Sequence, residues 1–129
     1  MIFEGFLAHL AGDFLIQSEW MASKKTKQWW PAIVHGLTYT VPFLFLTQSP
    51  VALAVIGGTH IVIDRYRLAR YVVWLKNWIA PRGWNPPWAK CAATGYPPDK
   101  DAGFAVGLLI VADNTMHLVI NSIALTWLA

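Results

Sequence analysis

From Gln28 to Ile63 the chain runs 36 residues without one Asp, Glu, Lys or Arg, and from Ala102 to Ala129 the only formal charge is Asp113. A helix in water needs a polar face at 3.6-residue periodicity, and neither stretch has one. The rest of the composition agrees: 56% of the 129 residues are hydrophobic and 13% are charged, against about 25% charged in an ordinary soluble domain. Such a balance excludes a disordered tail or a basic nucleic-acid-binding arm. It fits one domain, residues 1–129, of about four membrane-spanning helices.

The polar turn Thr47-Gln48-Ser49-Pro50 divides the first charge-poor run, with Pro placed to start the next helix. The expected spans are therefore about 2–21, 29–46, 51–71 and 103–128, giving an all-α integral membrane four-helix bundle. No Lys or Arg precedes the first apolar run and Asp13 lies inside it, so residues 2–21 are read as a retained span and not as a cleaved signal peptide. Lys24, Lys25 and Lys27 follow the first span, and Arg65, Arg67, Arg70, Lys76, Arg82, Lys90 and Lys100 lie between the third and fourth. The bias of Lys and Arg places both loops in the cytoplasm and both termini on the outer side of the membrane.

Residues 72–102 are expected to form a cytoplasmic interfacial segment. Arg65 to Ala80 interleaves cations with Tyr66, Tyr71, Trp74 and Trp78, which suits a span continuing along the headgroup layer until Pro81 stops it. The Pro-, Gly- and Trp-rich stretch after it reads as an ordered loop. Basic residues mixed with aromatics also suit single-stranded nucleic acid, but interfacial anchoring explains the same composition, so no nucleic-acid partner is expected. Cys91 is the single cysteine, which rules out an internal disulfide. Gly36, Gly57, Gly58, Gly103 and Gly107 read as close helix contacts.

Chemistry lies in what the apolar spans tolerate. His9 and Asp13, His60 and Asp64, and Asp113 and His117 are each four residues apart, a spacing that stacks both side chains on one helix face; His35 has Tyr39 four residues on. Gln17 and Asn121 extend two of these ridges by a turn. Ionisable groups are costly in hydrocarbon and face the bundle interior and one another. Counting about 1.5 Å per residue from the cytoplasmic ends, Asp13, His35, Asp64 and Asp113 lie about 9–15 Å deep, and His9, His60 and His117 about 5 Å further. Four helices then gather four imidazoles and three carboxylates into one layer.

That set suits a divalent transition metal, zinc first, with manganese or iron as alternatives. The candidate ligands are His9, Asp13, His35, His60, Asp64, Asp113 and His117, some of the Asp orienting His through its second nitrogen, with Gln17, Tyr39 and Asn121 behind them. Arg65, Arg67 and Arg70, just cytoplasmic of Asp64, are candidates to attract an anionic lipid headgroup. A polar network that only fixes helix packing uses the same residue types, and both readings stay open on spacing alone.

The segments His9-Leu-Ala-Gly-Asp13-Phe-Leu-Ile-Gln17 through Lys24-Lys25, His35, Thr59-His60-Ile-Val-Ile-Asp64-Arg65 and Ala112-Asp113-Asn114-Thr-Met-His117 resemble domain-of-unknown-function family 3307, a family of small bacterial and phage membrane proteins. The resemblance covers nearly the whole chain and implies no activity. A weaker similarity, to inner-membrane metal-dependent hydrolases, implies a metal-activated water attacking a lipid ester or phosphoester at the seven His and Asp residues. No general base, nucleophile motif or phosphate-cradling loop is legible, so no catalytic residue is assigned. The alternatives from other classes are a proton or metal-ion transporter or channel, and a non-enzymatic membrane interaction factor. The partners expected are membrane lipid and either a second copy of the chain or a host membrane protein.

Overall fold

The computed structural model describes every residue, Met1–Ala129, as an all-α chain of seven helices without strands. It forms two compact units, residues 1–66 with 117–129, and residues 67–116. The long helix α7 (Ala102–Trp127) contributes to both.

In the first unit, α1 (Ile2–Leu10) widens into a π-helical turn over Ala11–Ile16. The wide turn carries Asp13, in keeping with the frequent use of π-bulges at functional sites. Gln17 then turns extended (φ −61°, ψ 117°), and the Ser18 hydroxyl accepts from the Met21 N–H at 3.4 Å to start α2 (Glu19–Lys24). Helix α3 (Trp29–Thr40) tightens into a 3-10 turn, Val41–Phe45, where Pro42 has no N–H to continue the α-helical ladder. The Ser49 N–H donates to the Thr47 hydroxyl at 3.0 Å in the turn that leads into α4 (Pro50–Tyr66).

The core of this unit is Ala8, Tyr39, Phe43, Ile56, Ala124 and Leu125. Helices α3 and α4 approach closely because two glycines face the contact. A Cβ at Gly36 would strike the Ile61 side chain, and one at Gly57 would strike the Thr40 hydroxyl. The expected close contacts at Gly58 and Gly107 are not made: a Cβ there meets nothing within 4 Å, and at Gly103 it meets only the Asp101 carboxylate, at 3.5 Å.

The second unit holds α5 (Ala69–Trp78) and the short α6 (Trp88–Cys91), with Val73, Tyr96 and Ala105 at its centre. Its loop is ordered by named contacts. The Trp74 indole N–H donates to the Pro86 carbonyl (3.0 Å), Tyr71 stacks on Trp88 (4.6 Å), and the Lys76 ammonium donates to the Tyr96 hydroxyl (2.9 Å). Gly95, at φ +85°, lies against the Arg70 carbonyl, where any side chain would collide. Cys91 is buried, and burial together with the Asp99 carboxylate pushes its thiol up, away from the reactive thiolate.

Four continuous spans were expected, and only α7, with a mean hydropathy of 1.6 in its most apolar stretch, is long and apolar enough to cross a membrane. The run 2–21 is cut at Gln17, 29–46 loses α-helical pitch at Pro42, and 51–71 ends at Tyr66 because Arg67 adopts a left-handed φ of 52°. The same Arg67 separates α5 from α4, so the expected continuation of the third span into an interfacial helix is broken.

Gly57→Val is expected to destabilise the chain by about 1–3 kcal/mol through overpacking against Thr40. Gly58→Ala should be neutral or slightly stabilising. Thermal unfolding checks both.

Candidate metal centre

The first unit gathers His9, Asp13, His35, His60, Asp64 and His117 into one buried cluster, each with at most 8% of its surface exposed. The π turn supplies Asp13, α3 His35, α4 both His60 and Asp64, and the C-terminal half of α7 His117.

Two triads emerge, Asp13–His35–His60 and His60–Asp64–His117, sharing one imidazole. In the first, the Nε2 atoms of His35 and His60 are 2.9 Å apart, and Asp13 Oδ1 lies 3.2 Å and 3.3 Å from them. Donors bound tetrahedrally about 2.0–2.1 Å from zinc are separated by roughly 3.3–3.4 Å. The triad is therefore close to one face of such a tetrahedron. Asp64 Oδ2 approaches the same two nitrogens, at 3.3 Å from His35 and 3.1 Å from His60, while Asp64 Oδ1 is 3.4 Å from His117 Nε2.

Hydrogen bonding within the protein covers only part of this convergence: the two Nε2 atoms share a proton at 2.9 Å, and Asp64 Oδ2 accepts from Lys25 at 2.7 Å. Asp13 Oδ1 is buried and accepts no hydrogen bond although two ring nitrogens stand beside it. Two Nε2 atoms in contact share one proton at most, and the oxygens of two carboxylates face the same small region, an arrangement that favours a cation.

The expectation that Asp would orient His through its second nitrogen is not met for His35 and His60. Their Nδ1 atoms are buried without a hydrogen-bond partner, and both carboxylates meet the Nε2 side. Asp13 and Asp64 thus stand on the Nε2 side of these rings, where a metal ion could be held.

The remaining sequence candidates fall in different places. His9 lies outside both triads, with its Nδ1 2.8 Å from the Tyr39 hydroxyl and 3.6 Å from Asp13 Oδ2. Tyr39 is fully buried and stacks on the His60 ring at 3.6 Å, and its hydroxyl also accepts from Asn121 Nδ2 at 2.6 Å. Gln17 donates to the Asp13 main-chain carbonyl (3.1 Å) and holds the π turn instead of the carboxylate. Asp113, half-buried, enters neither triad and belongs to the second unit, while His117 faces Asp64.

The three arginines fasten backbone. Arg65 donates to the Thr26 carbonyl (2.9 Å) and covers the Trp29 ring, Arg67 donates to Ala93 (2.6 Å), and Arg70 to Ala92 (2.9 Å). Their expected role in holding a headgroup gains no support from these contacts.

Lys25 was missed as a site residue. Its ammonium donates to Asp64 Oδ2 at 2.7 Å, reaching the centre from the end of α2. The sequence reading used it only to orient the loops. Its place beside Lys24 in the segment that carries the family resemblance was the available signal.

An all-α chain with a buried His/Asp centre is the class these observations define. The chain belongs to DUF3307, described as proteins of unknown function, whose profile matches residues 1–128. No curated protein and no solved structure matches it.

Tyr39→Phe removes the oxygen shared by His9 and Asn121 and should cost about 1–3 kcal/mol of stability, since it deletes buried hydrogen bonds without changing the stacked ring. Denaturant or thermal unfolding measures it.

Proposed function

We propose that this protein is a membrane-bound metal-dependent hydrolase, with one divalent ion, zinc first, held by Asp13, His35 and His60, acting on a membrane-associated ester or phosphoester. The observation that carries the metal reading is the triad whose donor separations of 2.9, 3.2 and 3.3 Å come near the edges of a tetrahedral face, the imidazole pair being the short one. Three protein ligands leave a fourth position for water or substrate, the pattern of catalytic and not structural zinc. An ion there supplies Lewis acidity and activates water at neutral pH. Asp64 Oδ2 stands 3.3 Å and 3.1 Å from the same two nitrogens and is held by the Lys25 ammonium, with His117 behind its other oxygen at 3.4 Å. His9 and Tyr39 fix Asp13 and the His60 ring.

Membrane residence rests on the apolar surface left uncovered. Only 11% of the most apolar stretch of α7 is buried, whereas the core helix of a soluble protein is mostly buried. Phe14, Leu15, Leu37, Phe45 and Val119 are likewise exposed large apolar side chains. On this reading α7 spans the bilayer, and α1, α3 and α4 lie embedded beside its C-terminal half, the shorter helices being accommodated by local thinning.

A second reading, proton or ion transfer, is favoured by one feature. The polar line continues from Asp13 through His9 and Tyr39 to Asn121, which lines a cavity of about 520 Å³ beside Ile2, Phe6 and Leu125.

The protein is expected to stay in the membrane pellet after alkaline carbonate washing and to carry, by elemental analysis in detergent, about one divalent transition-metal ion per chain. Asp13→Ala and His60→Ala should each lose the ion while keeping the helical circular dichroism. Metal-free, folded wild type would sink the hydrolase reading and leave transfer of protons.

A further inference from the structure

Lys25 is the one cation inside a cluster otherwise built of carboxylates and imidazoles. Its side chain is 17% exposed, against 10% for Asp13, 4% for Asp64 and 2% or less for His35, His60 and His117. The centre therefore opens to its surroundings on the side where Lys25 stands. Lys24 and Lys27 are exposed on either side of it in the chain, and the Arg65 guanidinium is tied to the Thr26 carbonyl next to it.

The charge balance identifies what this opening suits. With a divalent ion in place, the carboxylates of Asp13 and Asp64 cancel the ion, and the Lys25 ammonium is left as one unbalanced positive charge in a largely desolvated site. A neutral carboxylic ester would leave that charge uncompensated, and an anionic phosphoryl group would neutralise it. Lysine is also suited mechanically. Its ammonium has three donors on a flexible four-carbon stem, so it can keep Asp64 with one and offer another to an incoming oxygen.

We propose that Lys25 is a substrate-binding residue that makes the centre selective for a phosphomonoester or phosphodiester anion, its ammonium passing from Asp64 toward a phosphoryl oxygen as the anion reaches the fourth position of the ion. This rests on the metal reading given above and decides between the two ester classes left open there. The chemistry is common to a phospholipid headgroup and to a free phosphate-bearing molecule.

The test uses the full chain in a neutral detergent, loaded with manganese, whose occupancy is read by electron paramagnetic resonance and whose proximity to phosphorus is read by broadening of the phosphorus-31 signal. Inorganic phosphate is titrated first, then phosphatidic acid in mixed micelles, with phosphatidylcholine micelles as the zwitterionic comparison. Wild type should bind phosphate close to manganese. Lys25→Met should keep manganese and weaken phosphate roughly 10- to 100-fold, and Lys25→Arg should restore most of it. Lys25→Gln, which retains a donor for Asp64, serves as a second neutral variant with the same expected loss.

Phosphatidic acid that competes with phosphate makes the headgroup the source, and phosphatidic acid that does not compete makes it a free phosphate; either supports the assignment. Manganese-loaded wild type that binds no phosphate, or neutral variants that bind it as tightly as wild type, overturns the assignment and leaves the metal reading intact. Wild type that holds no manganese, zinc or iron overturns the metal reading and this inference with it.

Discussion

Two carboxylates reach the same pair of imidazole nitrogens inside an apolar bundle, and everything else in the first unit is arranged around that meeting. Asp13 Oδ1 and Asp64 Oδ2 both lie within 3.3 Å of the Nε2 atoms of His35 and His60. Burying like charges together is unfavourable without an opposing charge. Lys25 supplies one opposing charge at 2.7 Å, and on the proposed metal reading a divalent ion would balance both carboxylates.

The backbone departures from regular helix serve the same point. The π turn Ala11–Ile16 carries Asp13, and Gly12 within it lies so close to Tyr39 that a Cβ would collide with the ring. Gly36 and Gly57 let α3 and α4 approach, bringing His35 and His60 to 2.9 Å. Tyr39 ties this contact to the rest of the bundle by stacking on His60 and bonding His9 and Asn121. Substitutions that loosen the glycine contact should therefore act on the centre through helix spacing and not through any ligand.

Much of the site was legible in the sequence because i,i+4 spacing on an apolar helix leaves few places for an ionisable pair to go. His60 and Asp64 meet as that spacing implies, at 3.1 Å. The same spacing brings His9 to within 3.6 Å of Asp13 but does not by itself enter His9 or Asp113 into a triad. His9 turns to Tyr39, and Asp113 stays outside the triads, since spacing on one helix says nothing of which neighbouring helix offers the better partner. Lys25 escaped because it comes from a turn 39 residues before Asp64, with no periodicity to link them. Helix lengths were overestimated for a related reason. Hydropathy is continuous across Gln17, Pro42 and Arg67, whereas the backbone is not: one residue turns extended, one lacks a donor, and one takes a left-handed φ.

The most direct test is X-ray absorption at the zinc edge on the zinc-loaded full chain in detergent. The account predicts about four nitrogen or oxygen donors at about 2.0–2.1 Å, with the multiple scattering of two imidazoles, no sulfur, and loss of that scattering in His35→Ala and His60→Ala. A shell of water oxygens alone, or imidazole scattering unchanged by both substitutions, would contradict it.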